Sequence, residues 1–379
     1  MREVWMAGPE SVAELSRALA DSLDGGPAVL PLDGRDLSAA KLRDAMAPGK
    51  PVEPDTAVII ATSGSAGHPK GVLLSVGALG ASAAATHTRL GGPGRWLLAT
   101  PAHYIGGLQV LVRSLLAGTT CEVVPPGPFR ADTFAEAAAP VLKCDGPRYT
   151  AMVPTQLTRL LDAGGKGLDA ARAFDAIIIG AAATPPVLRE RAAEAGVRIV
   201  PSYGMSETAS GCVYDGVPLD RVEVEIAADG RILLSGPMLA HGYRLRPDLT
   251  AEAFADGWFR TGDAGRFEDG RLTVLGRIDD VINTGGVKVS AAAVERVLTD
   301  CAGVRDACVV ALPDAEWGQI VAAAVVADRP DPELLCAAVR AGLGAAAVPK
   351  RLEFVDGLPL RGPGKPDRSA VARIFRSTS

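Results

Sequence analysis

The sequence has no CxxC pair, and no spacing of its 4 histidines against its 6 cysteines suits a zinc site. Cys121, Cys144, Cys212, Cys301, Cys308 and Cys336 are scattered along the chain, which reads as free thiols in a reduced, cytoplasmic protein. The opening stretch MREVWMAGPE lacks the apolar core of a signal peptide. A membrane-length apolar run is also missing. The uncharged stretch between Arg95 and Arg113 is broken by Pro101, His103, Gly106, Gly107 and Gln109, so no membrane span is expected. Excess positive charge is absent: 39 Lys and Arg against 44 Asp and Glu leave a formal charge of -5, which argues against nucleic-acid binding by bulk charge. The 43 glycines and 28 prolines show no collagen-like period, and no internal repeat or long low-complexity linker is visible.

What is present is a 379-residue chain, 48% hydrophobic and 22% charged, the balance of a soluble globular protein of two or three domains. Short apolar runs at 58–62, 95–100, 120–124, 149–153, 176–180 and 198–202 read as strands buried on both faces. Helix-like stretches near 75–89, 107–117, 131–142, 154–163 and 185–195 alternate with them, which predicts βα units and a largely parallel sheet. After about residue 215 the pattern changes. Alternating strands flank Asp229–Gly230 and Asp269–Gly270, both good hairpin turns, and predict antiparallel sheet or a small barrel. From 278 a smaller α+β unit begins, with a strand, a helix at 290–300, strands at 304–311 and 319–327, a helix at 331–342, a final strand and a polar Gly/Pro-rich tail. The expected architecture is therefore α/β: a large N-terminal domain at 1–277, with mostly parallel βα layers and a small barrel-like β subdomain, then a small α+β C-terminal domain at 278–379.

Four motifs carry chemistry. TSGSAGHPKG (62–71) follows a predicted strand and is expected to precede a helix. Gly64, Gly67 and Gly71 permit close backbone approach to an anion, Thr62, Ser63 and Ser65 offer hydroxyls, and Lys70 offers charge. This is not the GK[ST] phosphate loop, because Pro69 precedes Lys70 and Gly71 follows it. SYGMSETAS (202–210) places Glu207 among hydroxyls, where one carboxylate can hold Mg²⁺. Alone, such a glutamate is more often a solvated or capping residue. TGD (261–263) and GRIDDVINTGG (276–286) offer Asp263 to a pair of ribose hydroxyls and Arg277 to a phosphate or a second ribose contact, unless they are a hairpin followed by a charged linker. PLRGPGKPDRS (359–369) places Lys365 on a Gly/Pro-rich loop, able to stabilise developing negative charge on a phosphate.

In this order the four motifs resemble the signature set of the adenylate-forming superfamily, which includes acyl-CoA synthetases, luciferases and nonribosomal adenylation domains. The resemblance covers about residues 55–370, and the chain reads as N-terminally shortened relative to most members. PAHYIGGLQVLVRSLLAG (101–118), MVPTQLTRLL (152–161) and YGMSETASGCVYDG (203–216) further resemble the short actinobacterial o-succinylbenzoate–CoA ligases of menaquinone biosynthesis. The resemblance implies that Thr62, Ser63, Gly64, Ser65, Gly67 and Lys70 grip the ATP phosphates. It also implies that Gly180, Ala181 and Ala182 line the adenine and acyl pocket, that Ser202, Tyr203 and Gly204 stack on adenine, and that Glu207 binds Mg²⁺. Asp263 and Arg277 would hold the ribose, Asp279 would be the hinge, and Lys365 would contact the carboxylate and α-phosphate. The implied partners are a small carboxylic acid, ATP and CoA, with no nucleic acid; self-association stays open.

The acyl pocket is less determined. Related ligases carry a histidine where this sequence aligns Tyr104, with His103 one residue away. Arg113 is the candidate partner for a second substrate carboxylate, or else a surface helix arginine. Thr155 and Gln156 line the pocket or cap a helix, and Tyr214 is pocket wall or core. Arg260, Lys288 and Arg351 are among the cations open to CoA phosphates, and the Gly285–Gly286 loop is expected to approach the site after rotation. The alternatives are another aryl- or acyl-CoA ligase, a free-standing enzyme loading a carrier-protein thiol, and a non-catalytic nucleotide-binding relative. Intact Lys70, Glu207, Asp263 and Lys365 argue against the last of these.

Overall fold

The sequence Ala176–Ile179 has no polar residue, and its alternate side chains enter two different cores. Ile178 packs with Trp96, Leu98 and the helix residues Leu108, Leu111 and Val112. Ile177 and Ile179 pack with Phe134, Ala138, Leu157 and Leu160 on the other side. A strand of this kind is stable only at the centre of a covered sheet. In the computed structural model, which describes residues 1–36, 39–62, 69–328, 331–362 and 365–377, that is where it lies. The strands Glu122–Val123, Arg95–Leu98, Arg148–Met152, Ala176–Ile179 and Ile199–Met205 run parallel in that spatial order. Two antiparallel strands, Ser210–Tyr214 and Val217–Pro218, extend the sheet.

The helix Ile105–Leu116 is buried from Gly107 to Ser114, packed over the central sheet. Its entry is tight: a Cβ at Gly107 would stand 2.8 Å from the Thr100 carbonyl oxygen. Beyond it lies a second sheet, formed by Arg2–Met6, Val29–Asp33, Val58–Thr62, Lys70–Leu74 and Gly242–Tyr243. Its first three strands are parallel and the last two antiparallel. A strand that the sequence reading did not foresee thus comes between TSGSAGHP and the expected helix. Thr62 pairs with Lys70 and Ile60 with Val72, and Gly71–Leu74 is wholly buried. Burial of a short, mostly apolar run within a sheet decided a case that periodicity leaves ambiguous. The helix follows at Val76–Leu90, capped by Ser75.

A third sheet, Glu223–Ile226, Arg231–Ser235, Trp258–Glu268, Phe254–Ala255 and Arg271–Arg277, is antiparallel throughout, with turns at the two expected Asp–Gly pairs. Among the described residues, no strand after residue 280 pairs with any strand before 278. The later sheet is built from Val281–Thr284, Val287–Ser290, Gly318–Ala327, Val304–Asp314 and Arg351–Phe354. One face carries the helices Ala291–Thr299 and Pro332–Leu343. The other is covered by Arg368–Ser377, a helix where the sequence suggests a polar tail. Val371 and Phe375, four residues apart, both reach 0% exposure there.

Candidate active site

Tyr104, Thr155, Gly180 and Glu207 follow the carboxyl ends of parallel strands, the usual place for a ligand in an open α/β sheet, while Lys70, Asp263 and Lys365 come from neighbouring elements. Lys70 begins the second strand of the Val58–Thr62 hairpin, and its Nζ lies 4.9 Å from the centre of the Tyr243 ring. Tyr243 reaches that position because Gly242–Tyr243 pairs with Lys70–Leu74. Its hydroxyl donates to Glu207 Oε1 at 2.9 Å. Burial first, then the Glu207 charge, raises the Tyr243 pKa, so the phenol stays protonated and remains a donor. Glu207 stands in the short turn Ser206–Thr208, held by Thr208 Oγ1, which accepts from Met205 N and donates to Ser210 O. Among the described residues no group of three or more His, Cys, Asp or Glu is arranged for a metal. One carboxylate with a braced oxygen still suits Mg²⁺, which keeps most of its water.

A second chain of contacts starts at Tyr203. Its hydroxyl donates to Asp263 Oδ2 at 2.8 Å, and burial, then the Asp263 charge, pushes its pKa up. Asp263 pairs in register with Arg277 across the third sheet, with Oδ1 3.6 Å from Nη1. Arg277 Nη2 lies 3.0 Å from Asp279 Oδ2 in the turn Ile278–Asp280. The proposed adenine, ribose and hinge residues are therefore one connected row. Gly204 fits between two strands where a Cβ would stand 2.6 Å from Gly211 Cα. Gly180 lies beside Ser202: a Cβ on it would be 3.1 Å from the Ser202 hydroxyl. Ala181 holds φ +70°, a left-handed backbone costing an L-residue roughly 1–2 kcal/mol. Ala182 follows it in the same loop. Thr62 donates to the Lys70 carbonyl at 3.4 Å. Ser63, Gly64, Ser65 and Gly67 fall outside the described residues.

Tyr104 and His103 face different partners. His103 is 8% exposed, with Nε2 3.8 Å from Asp33 Oδ2 in the second sheet, and burial lowers its pKa against the pull of Asp33. Tyr104 caps the helix Ile105–Leu116 and turns toward the hairpin of Leu360–Arg361 and Lys365–Pro366. A Cβ on Gly362 would be 3.4 Å from its hydroxyl. Lys365 is exposed on that hairpin. The structure thus brings Tyr104 and the Lys365 hairpin together and leaves His103 behind them.

Arg113 corrects the sequence expectation. It is neither at this site nor on the surface. It is 1% exposed, 5.2 Å from the Trp96 ring centre, and nine residues past Tyr104, ~13 Å further along the helix. Burial lowers its pKa. Tyr214 is core as well, 1% exposed, with its hydroxyl 3.1 Å from Thr86 Oγ1. Gln156 braces a helix start: Oε1 accepts from Val153 N and Nε2 donates to Ala99 O. Thr155 is half-buried at the same helix start, at the sheet end where the site lies. Arg260 and Lys288 are exposed and Arg351 half-buried, 3.9 Å from Glu353. Tyr243 was not anticipated. Its place beside Lys70 comes from the pairing of Gly242–Tyr243 with Lys70–Leu74, which a single sequence does not show.

The profile of the AMP-binding enzyme family matches residues 10–244, and that of the AMP-binding enzyme C-terminal domain matches residues 293–365. A probable 2-succinylbenzoate–CoA ligase of Mycobacterium tuberculosis is 42% identical over 386 residues, covering 99% of this chain and 98% of that protein. A 2-succinylbenzoate–CoA ligase of Listeria monocytogenes is 32% identical, covering 83% of this chain and 69% of that protein. Among solved structures, the amide bond synthetase McbA from Marinactinospora thermotolerans superposes with TM-score 0.76 and 31% identity over 97% of this chain and 79% of that one. The o-succinylbenzoate CoA synthetase of Bacillus subtilis, in complex with its acyl-adenylate intermediate, shares the fold with TM-score 0.76 and 24% identity over 98% of this chain and 87% of that one.

Proposed function

The chain belongs to the AMP-binding enzyme family, and on that premise we propose that it joins 2-succinylbenzoate (o-succinylbenzoate) to CoA through an acyl-adenylate. The observations that carry the chemistry are the approach of the Lys365 hairpin to Tyr104 and the Lys70–Tyr243–Glu207 cluster. The substrate assignment leans on the 42% identity, sustained over nearly the whole of both chains, to a probable 2-succinylbenzoate–CoA ligase.

In the first step an oxygen of the substrate carboxylate attacks the α-phosphorus of ATP and pyrophosphate leaves. Lys70 and Lys365 oppose the charge that gathers on the phosphates, while Asp263 and Arg277 hold the ribose. Glu207 would hold Mg²⁺, which when bound neutralises charge on the phosphates. In the second step the CoA thiolate attacks the acyl carbon and AMP leaves. Rotation of residues 278–379 about Asp279 would withdraw Lys365 and present the Gly285–Gly286 loop, while closure keeps water from the adenylate. Arg113, buried against Trp96, is not proposed as the partner of the acid's second carboxylate. The six cysteines are free thiols, in keeping with a cytoplasmic setting.

The relation to an amide bond synthetase keeps the acceptor open to test. The deciding assay is pyrophosphate release from ATP and Mg²⁺ with 2-succinylbenzoate, benzoate or fatty acids, with and without CoA, beside a Lys365→Ala variant. Release with 2-succinylbenzoate alone, CoA thioester as product and loss of release in Lys365→Ala are expected. Turnover of another acid, or transfer to an amine in preference to CoA, would overturn the substrate or the acceptor respectively.

A further inference from the structure

The turn at the proposed hinge carries two adjacent carboxylates that point to different parts of the molecule. Asp279 is paired with Arg277, which also faces Asp263 of the third sheet. Asp280 Oδ2 lies 3.0 Å from Nε of Arg368, the first residue of the last helix. The guanidinium of Arg368 also takes both oxygens of Glu295, Nη2 meeting Oε2 at 3.1 Å, and donates to the Val309 carbonyl. Glu295 is fixed in turn, because its Oε1 accepts from Val309 N at 2.7 Å. One side chain thus ties the hinge turn, the helix Ala291–Thr299 and the strand Val304–Asp314 to a single point.

That point is the base of the Lys365 hairpin. Arg368 follows Lys365 by three residues, and Asp367 N donates to Pro359 O at 2.8 Å, closing the hairpin at its root. The hairpin has only two residues per strand. Two-stranded hairpins are marginal in water, so its placement has to come from what anchors its base. We infer that Arg368 is a positioning residue for adenylate formation: clamped on Asp280 and Glu295, it holds the Lys365 hairpin against Tyr104 and makes it move as one body with the hinge. It touches no reacting atom; it acts through Lys365. This role rests on the ligase assignment above.

Two half-reactions separate positioning from general stability. Pyrophosphate release with 2-succinylbenzoate and ATP reads the step that uses Lys365. Thioester formation from supplied acyl-adenylate and CoA reads the step that does not. In Arg368→Gln the first is expected to fall about ten- to a hundredfold, the scale of an ångström-sized misplacement, and the second by less than about threefold. Arg368→Lys should recover part of the loss. Asp280→Asn, which removes only the hinge-side contact, should show the same split more weakly and guards against a misfolded Arg368 variant. An equal fall in both half-reactions, or no fall in either, overturns the inference. Hydrogen exchange at 359–367 needs no substrate. Faster exchange there in Arg368→Gln, with the strand Gly318–Ala327 unchanged, upholds the clamp even if another acid proves to be the substrate; unchanged exchange overturns it.

Discussion

Tyr243→Phe removes one oxygen and leaves the ring in place. The ring still packs on Phe254, with centroids 5.6 Å apart, and still lies under the Lys70 ammonium. What is lost is the 2.9 Å bond to Glu207. A hydrogen bond to a charged group contributes about 1.5–3 kcal/mol. Glu207 is half-buried and can turn to water, which puts the loss near the lower end, about 1.5 kcal/mol or roughly tenfold in an equilibrium constant. If that bond aims Glu207 at the metal, the concentration of Mg²⁺ giving half-maximal pyrophosphate release should rise about tenfold. The maximal rate at saturating Mg²⁺ should change little, and the melting temperature should fall by only a few degrees. Titrating Mg²⁺ at fixed ATP in wild type and variant checks this. An unchanged Mg²⁺ dependence would refute the claim that Tyr243 serves Glu207.

Other outcomes follow from buried groups away from the reaction. Arg113→Met replaces a fully buried cation whose Nε and Nη2 have no hydrogen-bond partner among the described residues with an apolar chain of similar length. Such exchanges are neutral or stabilising by about 1–4 kcal/mol, so the melting temperature should hold or rise and turnover of 2-succinylbenzoate should persist; a collapse of either would return Arg113 to a binding role. His87 has its pKa lowered from 6.5, by burial first and then by Arg113. The unfolded chain therefore binds the extra proton, so stability is full above about pH 6.5 and falls as the pH drops toward the folded value. Thermal melts from pH 8 to 5 should show that fall, and His87→Gln should flatten it; an unaltered slope would remove His87 as a cause.

The sequence disclosed most where the constraint is local. Ile177–Ile179 reads as a covered strand because both faces are apolar, and the Asp–Gly turns at 229 and 269 fix their hairpins within a few residues. It disclosed less where a contact spans the chain. Glu207 and Tyr243 are 36 residues apart and Glu295 and Arg368 are 73 apart, and a single sequence has no signal for such pairs. The stretch Gly71–Leu74 suits helix or strand until its partner strand is known. Arg113 and Tyr104 share one helix, and counting 1.5 Å per residue already sets them at opposite ends of it. The rings of His103 and Tyr104 stay in contact, centroids 4.2 Å apart, yet their polar atoms meet different groups: His103 Nε2 lies 3.8 Å from Asp33, and the Tyr104 hydroxyl faces Gly362.

The hairpin of Val58–Thr62 with Lys70–Leu74 distinguishes the proposed phosphate site from those built on a helix. The next helix opens only at Val76, beyond a whole strand, ~20 Å of chain from Lys70. Its macrodipole, which fades within a turn, therefore contributes nothing to a polyphosphate bound near Lys70. On the proposed reading the positive charge there comes from the Lys70 ammonium, not from a fixed helical field. A phosphate held there by one partly exposed ammonium would be bound less tightly as salt rises.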